Sequence, residues 1–168
     1  MTAPRIFISY RTSDGADKAT ALARELGQVF GTAQVFLDKE DLPAGVPWRE
    51  AVAATLGQRP VLLVLVTPDT FGALDSAGQR RIDRPDDAVR REIATALECG
   101  AVVLPLLADG VEGLAGDLPP PLERLGERTW RPLRAYDWRS DSQRIVADLE
   151  ALGVRRRVPH WLRRSAMA

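Results

Sequence analysis

The chain has 168 residues, enough for one domain with a substantial core, and its 23 basic and 23 acidic residues leave a formal net charge of zero. Balanced charge argues against a molecule-wide binding surface for nucleic acid or membrane. A single cysteine, Cys99, and a single histidine, His160, leave no internal disulfide, no His-based triad and no His/Cys metal centre.

Ile6-Phe7-Ile8-Ser9-Tyr10 is a short apolar run that turns polar at its end, as a first strand would, and Met1 to Arg5 lead into it with no signal peptide. From Asp14 to Phe30 the residues Ala19, Leu22, Ala23, Leu26 and Phe30 fall on one helical stripe, with Ser13 or Asp14 as the N-cap. Gln34 to Leu37 reads as a second strand, and a loop follows from Asp38 to Val46. Pro47 then opens a helix with Trp48, Val52 and Leu56 on one face, which makes a partial core anchor the simpler reading of Trp48. Val61 to Val66 is apolar at every position, the mark of a central parallel strand buried on both faces.

Arg80, Arg81 and Arg84 lie in a long connection, most simply a solvated loop, though they could approach phosphates. The next helix runs from Asp86 to Leu97, with Val89, Ile93, Ala96 and Leu97 on its apolar stripe. Asp86 and Asp87 precede Arg90 and Arg91 at the spacing of surface ion pairs, and Cys99 is expected to be a buried structural thiol. Ala101 to Leu106 predicts a fourth strand, Asp109 to Pro121 a loop, and Thr129 to Leu133 a fifth strand placed at an edge by Pro132. The last helix is expected from Asp141 to Leu152, ending at Gly153. No apolar stretch approaches the ~20 residues that span a bilayer, so the expectation is a cytoplasmic protein.

Alternating strands and helices with continuous apolar strands predict an α/β fold: a flavodoxin-like, five-stranded parallel sheet in the order 2-1-3-4-5 with helices on both faces. Ligands in such folds bind beyond the carboxyl ends of the strands, at the switch point between strands one and three. That rule gathers Tyr10, Arg11 and Glu92 around one crevice. Acidic residues needed for a phosphoacceptor site are missing after strands one and three, where Ser9-Tyr10-Arg11 and Thr67-Pro68 stand. No strand is followed by a Gly-rich phosphate loop.

Glu92 lies at the edge of its helix's apolar stripe, on the side of Ala88 and Ala96, and no base sits one turn away to pair with it. Such a carboxylate has room to face a ligand cleft. A solvated glutamate at an ordinary boundary is the simpler reading of this residue taken alone.

Several segments together resemble a bacterial TIR (Toll/interleukin-1 receptor) domain, from about Pro4 to Leu152. Phe7-Ile8-Ser9-Tyr10-Arg11 resembles the family's first-strand box. Val35-Phe36-Leu37-Asp38 and then Leu42-Pro43-Ala44-Gly45-Val46-Pro47-Trp48 resemble its second strand and BB loop. Asp86 to Ile93 is similar to the segment that holds the catalytic glutamate of NAD-cleaving members, and Val103 to Leu107 and Leu118-Pro119 match further boxes.

The resemblance implies two activities. One is NAD⁺ hydrolysis or cyclisation by cleavage of the nicotinamide–ribose bond, with Glu92 as the catalytic carboxylate. The other is self-association through the BB loop, Asp38 to Trp48, in bacterial defence signalling, with or without catalysis. NAD⁺ would be a substrate, with no bound cofactor and no metal. Tyr10 and Arg11 match positions beside the nucleotide, Arg11 offering its fork to a phosphate, while Asp38 and the loop to Trp48 border the cleft. Ala88 stands where active relatives often carry an aromatic residue near the nicotinamide ring, a ring that Trp48 or Phe71 could supply instead.

The domain is expected over residues 1–153. Residues 154–168 carry Arg155-Arg156-Arg157 and Arg163-Arg164 and read as a basic tail, disordered or linking to a sensor domain or protein partner. A polybasic contact to nucleic acid or lipid is the lesser alternative, and neither is expected as a partner of the domain.

Overall fold

Two runs set the frame of the molecule, because every residue of Ile6–Ser9 and of Val61–Val66 is buried. The structure, a computed structural model, describes residues 5–37, 45 and 47–159, with the backbone alone at 48 and 49. The two runs are strands β1 (Ile6–Ser9) and β3 (Val61–Val66), and they pair in parallel with Ile6 opposite Val61 and Ser9 opposite Val64. β2 (Val35–Leu37) flanks β1 on its other side. β4 (Val102–Ala108) pairs with β3, and the short β5 (Arg131–Leu133) closes the edge. The order is β2-β1-β3-β4-β5, all parallel, as the sequence pattern predicts.

The alternation of strand side chains separates two cores. Ile6, Ile8, Leu63, Leu65, Leu104 and Leu106 face α1 (Thr12–Phe30) and α5 (Trp138–Ala151), where Leu22, Leu26, Ile145 and Leu149 fill the space. Phe7, Leu62, Val64, Val66, Val103 and Leu107 face the other way, onto α2 (Trp48–Gly57), α3 (Pro68–Gly72) and α4 (Ala88–Glu98). Since β3 and β4 run parallel, α4 between them runs back along the sheet, and its first turn lies at the carboxyl ends of the strands.

The differences from expectation have local causes. The N-cap position of α1 falls to Arg11, with no side-chain cap. Asp14 instead accepts from Thr67 Oγ1 at 2.6 Å and from the Asp69 backbone N–H at 2.9 Å, and Ser13 Oγ donates to Asp69 Oδ2 at 2.6 Å. These side chains fasten the start of α1 to α3, a five-residue helix that carries too little periodicity to announce itself. Helix α5 begins at Trp138 rather than Asp141, and Trp138 Nε1 donates to Glu25 Oε2 of α1 at 2.6 Å. Cys99 ends α4 as its C-cap and is half-buried, not enclosed.

The fold also continues past Gly153. That residue has φ +96°, which turns the chain so that the Val154 N–H reaches the Leu149 carbonyl at 3.0 Å and its side chain enters the α1/α5 core. The Arg157 N–H then donates to the Val29 carbonyl at 2.9 Å. Residues 160–168, with His160 and Arg163-Arg164, lie outside the described residues. No helix among the described residues is long and apolar enough to cross a membrane.

Candidate functional site

Period-two alternation along β1 sends Phe7 and Ser9 to the α4 face. Ser9 is fully buried, and its Oγ donates to Glu92 Oε2 at 2.5 Å. Glu92 itself is 3% exposed, so the residue placed by sequence at a core boundary lies within the boundary, at the carboxyl end of β1.

A second tie joins the same two elements further out. Asp87 is the N-cap of α4, accepting from the Arg90 N–H at 3.1 Å. Its two oxygens also accept from Arg11, Oδ1 from Nη1 at 2.6 Å and Oδ2 from Nη2 at 3.1 Å. Arg11 Nη2 donates further to the Thr70 carbonyl of α3 at 2.9 Å, and Arg11 Nε is buried without a hydrogen-bond partner among the described residues. Two residues of extended chain from Ser9 to Arg11 span roughly 6.6 Å, and five residues of helix from Asp87 to Glu92 rise roughly 7.5 Å. The similar spacings let the end of one strand grip the helix at two points.

This geometry revises the expectation for Arg11. Its fork lies inside the protein on Asp87 and Thr70, and the residue is only 3% exposed. Asp87 likewise takes Arg11 in place of an i,i+4 partner on its own helix. Tyr10 is half-buried and packs against the α1/α5 core, its Cβ beside Gly15, on the opposite side of β1 from Glu92. Ala88 is the first residue of α4 and is half-buried. Phe71 belongs to the core beside Val66 and Ile82 and also lines a cleft at the carboxyl end of β3. Trp48 begins α2, but its side chain, and all of Asp38, lie outside the described residues.

The residues that sequence reasoning passes over are Ser9 as the donor to Glu92 and Asp87 as the anchor of α4. For Ser9 the signal is present: it shares the parity of Phe7, whereas Tyr10 shares that of Ile8.

The connection from α3 to α4 is held by ion pairs and turns. Arg80 donates to both oxygens of Asp83 and to Asp117 Oδ2, holding the Asp83 carboxyl below its ordinary range. The Asp75 carboxyl is held low chiefly by the Gln79 backbone N–H. Two clefts open beside this region. One of about 500 Å³ lies between the end of β3, α3 and residues 110–115. The other, about 930 Å³, lies beyond β4 and β5 and exposes Trp130 and Tyr136. Glu92 lines neither of them.

Residues 6–157 match the family model described as the TIR domain. The chain belongs to the TIR domain family. Among solved structures, this TIR domain is similar to the TIR domains of the activated Roq1 resistosome directly recognising the pathogen effector XopQ. The TM-score is 0.63 at 14% identity, over 88% of this chain and 99% of that one. It is also similar to the TIR domain of the Toll-related receptor TRR-2 from the lower metazoan Hydra magnipapillata, with a TM-score of 0.56 and 15% identity over 86% of this chain and 97% of that one. At such identities the likeness speaks for the fold alone, and the chemistry of the site rests with its own side chains.

Proposed function

We propose that this TIR domain cleaves NAD⁺ at the bond between nicotinamide and ribose, with Glu92 as the catalytic carboxylate. The observation that carries this reading is a carboxylate only 3% exposed, hydrogen-bonded to Ser9 at the carboxyl end of β1. As the C–N bond breaks, nicotinamide leaves with the bonding electron pair and positive charge develops at the anomeric carbon. A carboxylate fixed beside that carbon and shielded from water stabilises the charge more strongly than one in solvent. Water then adds its oxygen to the carbon and releases a proton, giving the hydrolysed product. A nitrogen of the substrate's own adenine in place of water gives the cyclic one.

In this reading Arg11 acts through Asp87, fixing the first turn of α4 so that Glu92 meets Ser9. Asp38 and the segment to Trp48 border the cleft and join copies of the domain in an active assembly, serving signalling in bacterial defence.

One observation favours a second reading, a non-catalytic module that works by TIR–TIR association alone. Ala88, one turn before Glu92, offers no ring to the nicotinamide. NAD⁺ consumption at high protein concentration, with products separated by chromatography, decides between the two.

A further inference from the structure

Four arginines lie between positions 80 and 90, around the first turn of α4, and three of them are engaged within the protein. Arg80 bonds Asp83 and Asp117, and Arg84 bonds Asp86 and Asp75. Arg90 Nη1 donates to the Asp83 carbonyl at 2.5 Å. Arg81 differs from these. Its side chain is 46% exposed, and its one ion-pair contact among the described residues is Asp87 Oδ1, 3.8 Å from Nε, too far for a hydrogen bond. Arg11 already occupies both oxygens of that carboxylate. The five N–H donors of Arg81 are thus held beside α4 by charge while remaining open to an anion.

The position suits a substrate whose reacting carbon lies at Glu92. Asp87 stands roughly 7.5 Å from Glu92 along the helix axis. In a dinucleotide, a ribose ring and one methylene separate the anomeric carbon from the nearest phosphate, a comparable span. The nicotinamide end of NAD⁺ is cationic, so the diphosphate is the part of the substrate that a guanidinium attracts, and its paired oxygens match the planar fork.

We propose that Arg81, and not Arg11, binds the diphosphate of the dinucleotide, an inference that rests on the NAD⁺-cleaving reading above. The test compares wild type with Arg81→Gln on NAD⁺ and on nicotinamide riboside, the phosphate-free half of the substrate. The expected result is that kcat/KM for NAD⁺ relative to the riboside falls about tenfold in the variant, the worth of one charge-assisted hydrogen bond. An unchanged ratio overturns the assignment. If wild type consumes neither substrate, the catalytic reading fails separately, and calorimetry with ADP-ribose as the probe still decides the binding site. Arg81→Gln should then bind ADP-ribose about tenfold more weakly, and equal binding, or none by wild type, overturns the proposal. A thermal melt of the variant confirms that it is folded, as expected for an exposed side chain that makes no hydrogen bond among the described residues.

Discussion

Ser9 and Glu92, separated by 83 positions in the chain, meet at the carboxyl end of β1, where the serine hydroxyl donates to the glutamate carboxyl. The contact joins the strand at the switch point of the sheet to the helix that follows β3. It helps explain how a glutamate sits inside the protein: a donor comes from another element. Removing the hydroxyl leaves a buried acceptor one donor short. Ser9→Ala is therefore predicted to destabilise the domain by about 1–3 kcal/mol. Urea denaturation measures this, and a midpoint equal to wild type would count against the contact.

Arg11 and Asp87 are the deeper commitment, since both side chains are almost fully buried, at 3% and 1% exposure. Breaking such a pair strands one charge in the interior, at a typical cost of about 3–5 kcal/mol, whereas replacing both groups with apolar ones can recover much of it. Arg11→Met and Asp87→Leu should each destabilise strongly, and the double variant should be more stable than the sum of the two effects predicts. Strict additivity in a double-mutant cycle would show that the two groups do not interact.

Asp141 gives the acid limb of stability a specific contributor. It accepts from the Arg134 backbone N–H, Nε and Nη2 at 2.9, 2.9 and 2.8 Å, and the Arg134 side chain holds its carboxyl below the ordinary 3.8. A carboxyl lowered in the folded state adds stability above pH 3.8, and that stability is lost as pH falls through the lower folded value. Asp141→Asn should therefore be less stable than wild type near neutral pH, with the gap narrowing near pH 3. A gap that stays constant between the two conditions would refute this role.

Gly45 has φ +81°, and among the described residues nothing lies within 4 Å of where a Cβ would be. A side chain there costs about 1–2 kcal/mol through backbone conformation alone. If the segment from Asp38 to Trp48 joins copies of the domain, Gly45→Glu should abolish assembly in light scattering while the monomer still melts cooperatively. Assembly that survives the substitution would place the interface elsewhere.

The frame of the molecule was legible in the sequence because parallel strands buried on both faces are apolar throughout, as Val61–Val66 is, and because the long helices carry stripes such as Leu22, Leu26 and Phe30. Glu92 was legible as a residue in an odd position, and the resemblance of its segment to a TIR domain gave that position a meaning. Pairings between distant elements were not legible. Nothing in the order of residues shows that Arg11 turns inward to Asp87, or that Asp14 holds α3. The packing just after Gly153 was hidden for a related reason: the glycine does end the helix, but the turn it makes returns Val154 to the core.

The proposed role of Glu92 is chemistry on NAD⁺. Its most direct test is NAD⁺ consumption by wild type and Glu92→Gln side by side, at high protein concentration, with folding checked by circular dichroism. Glutamine keeps the shape and the ability to accept from Ser9 but not the negative charge. Turnover is expected from wild type, with at least a hundredfold loss in the folded variant, about 2.7 kcal/mol of transition-state stabilisation. Equal turnover by both proteins would contradict it, and no turnover by wild type would leave this TIR domain as a module of assembly.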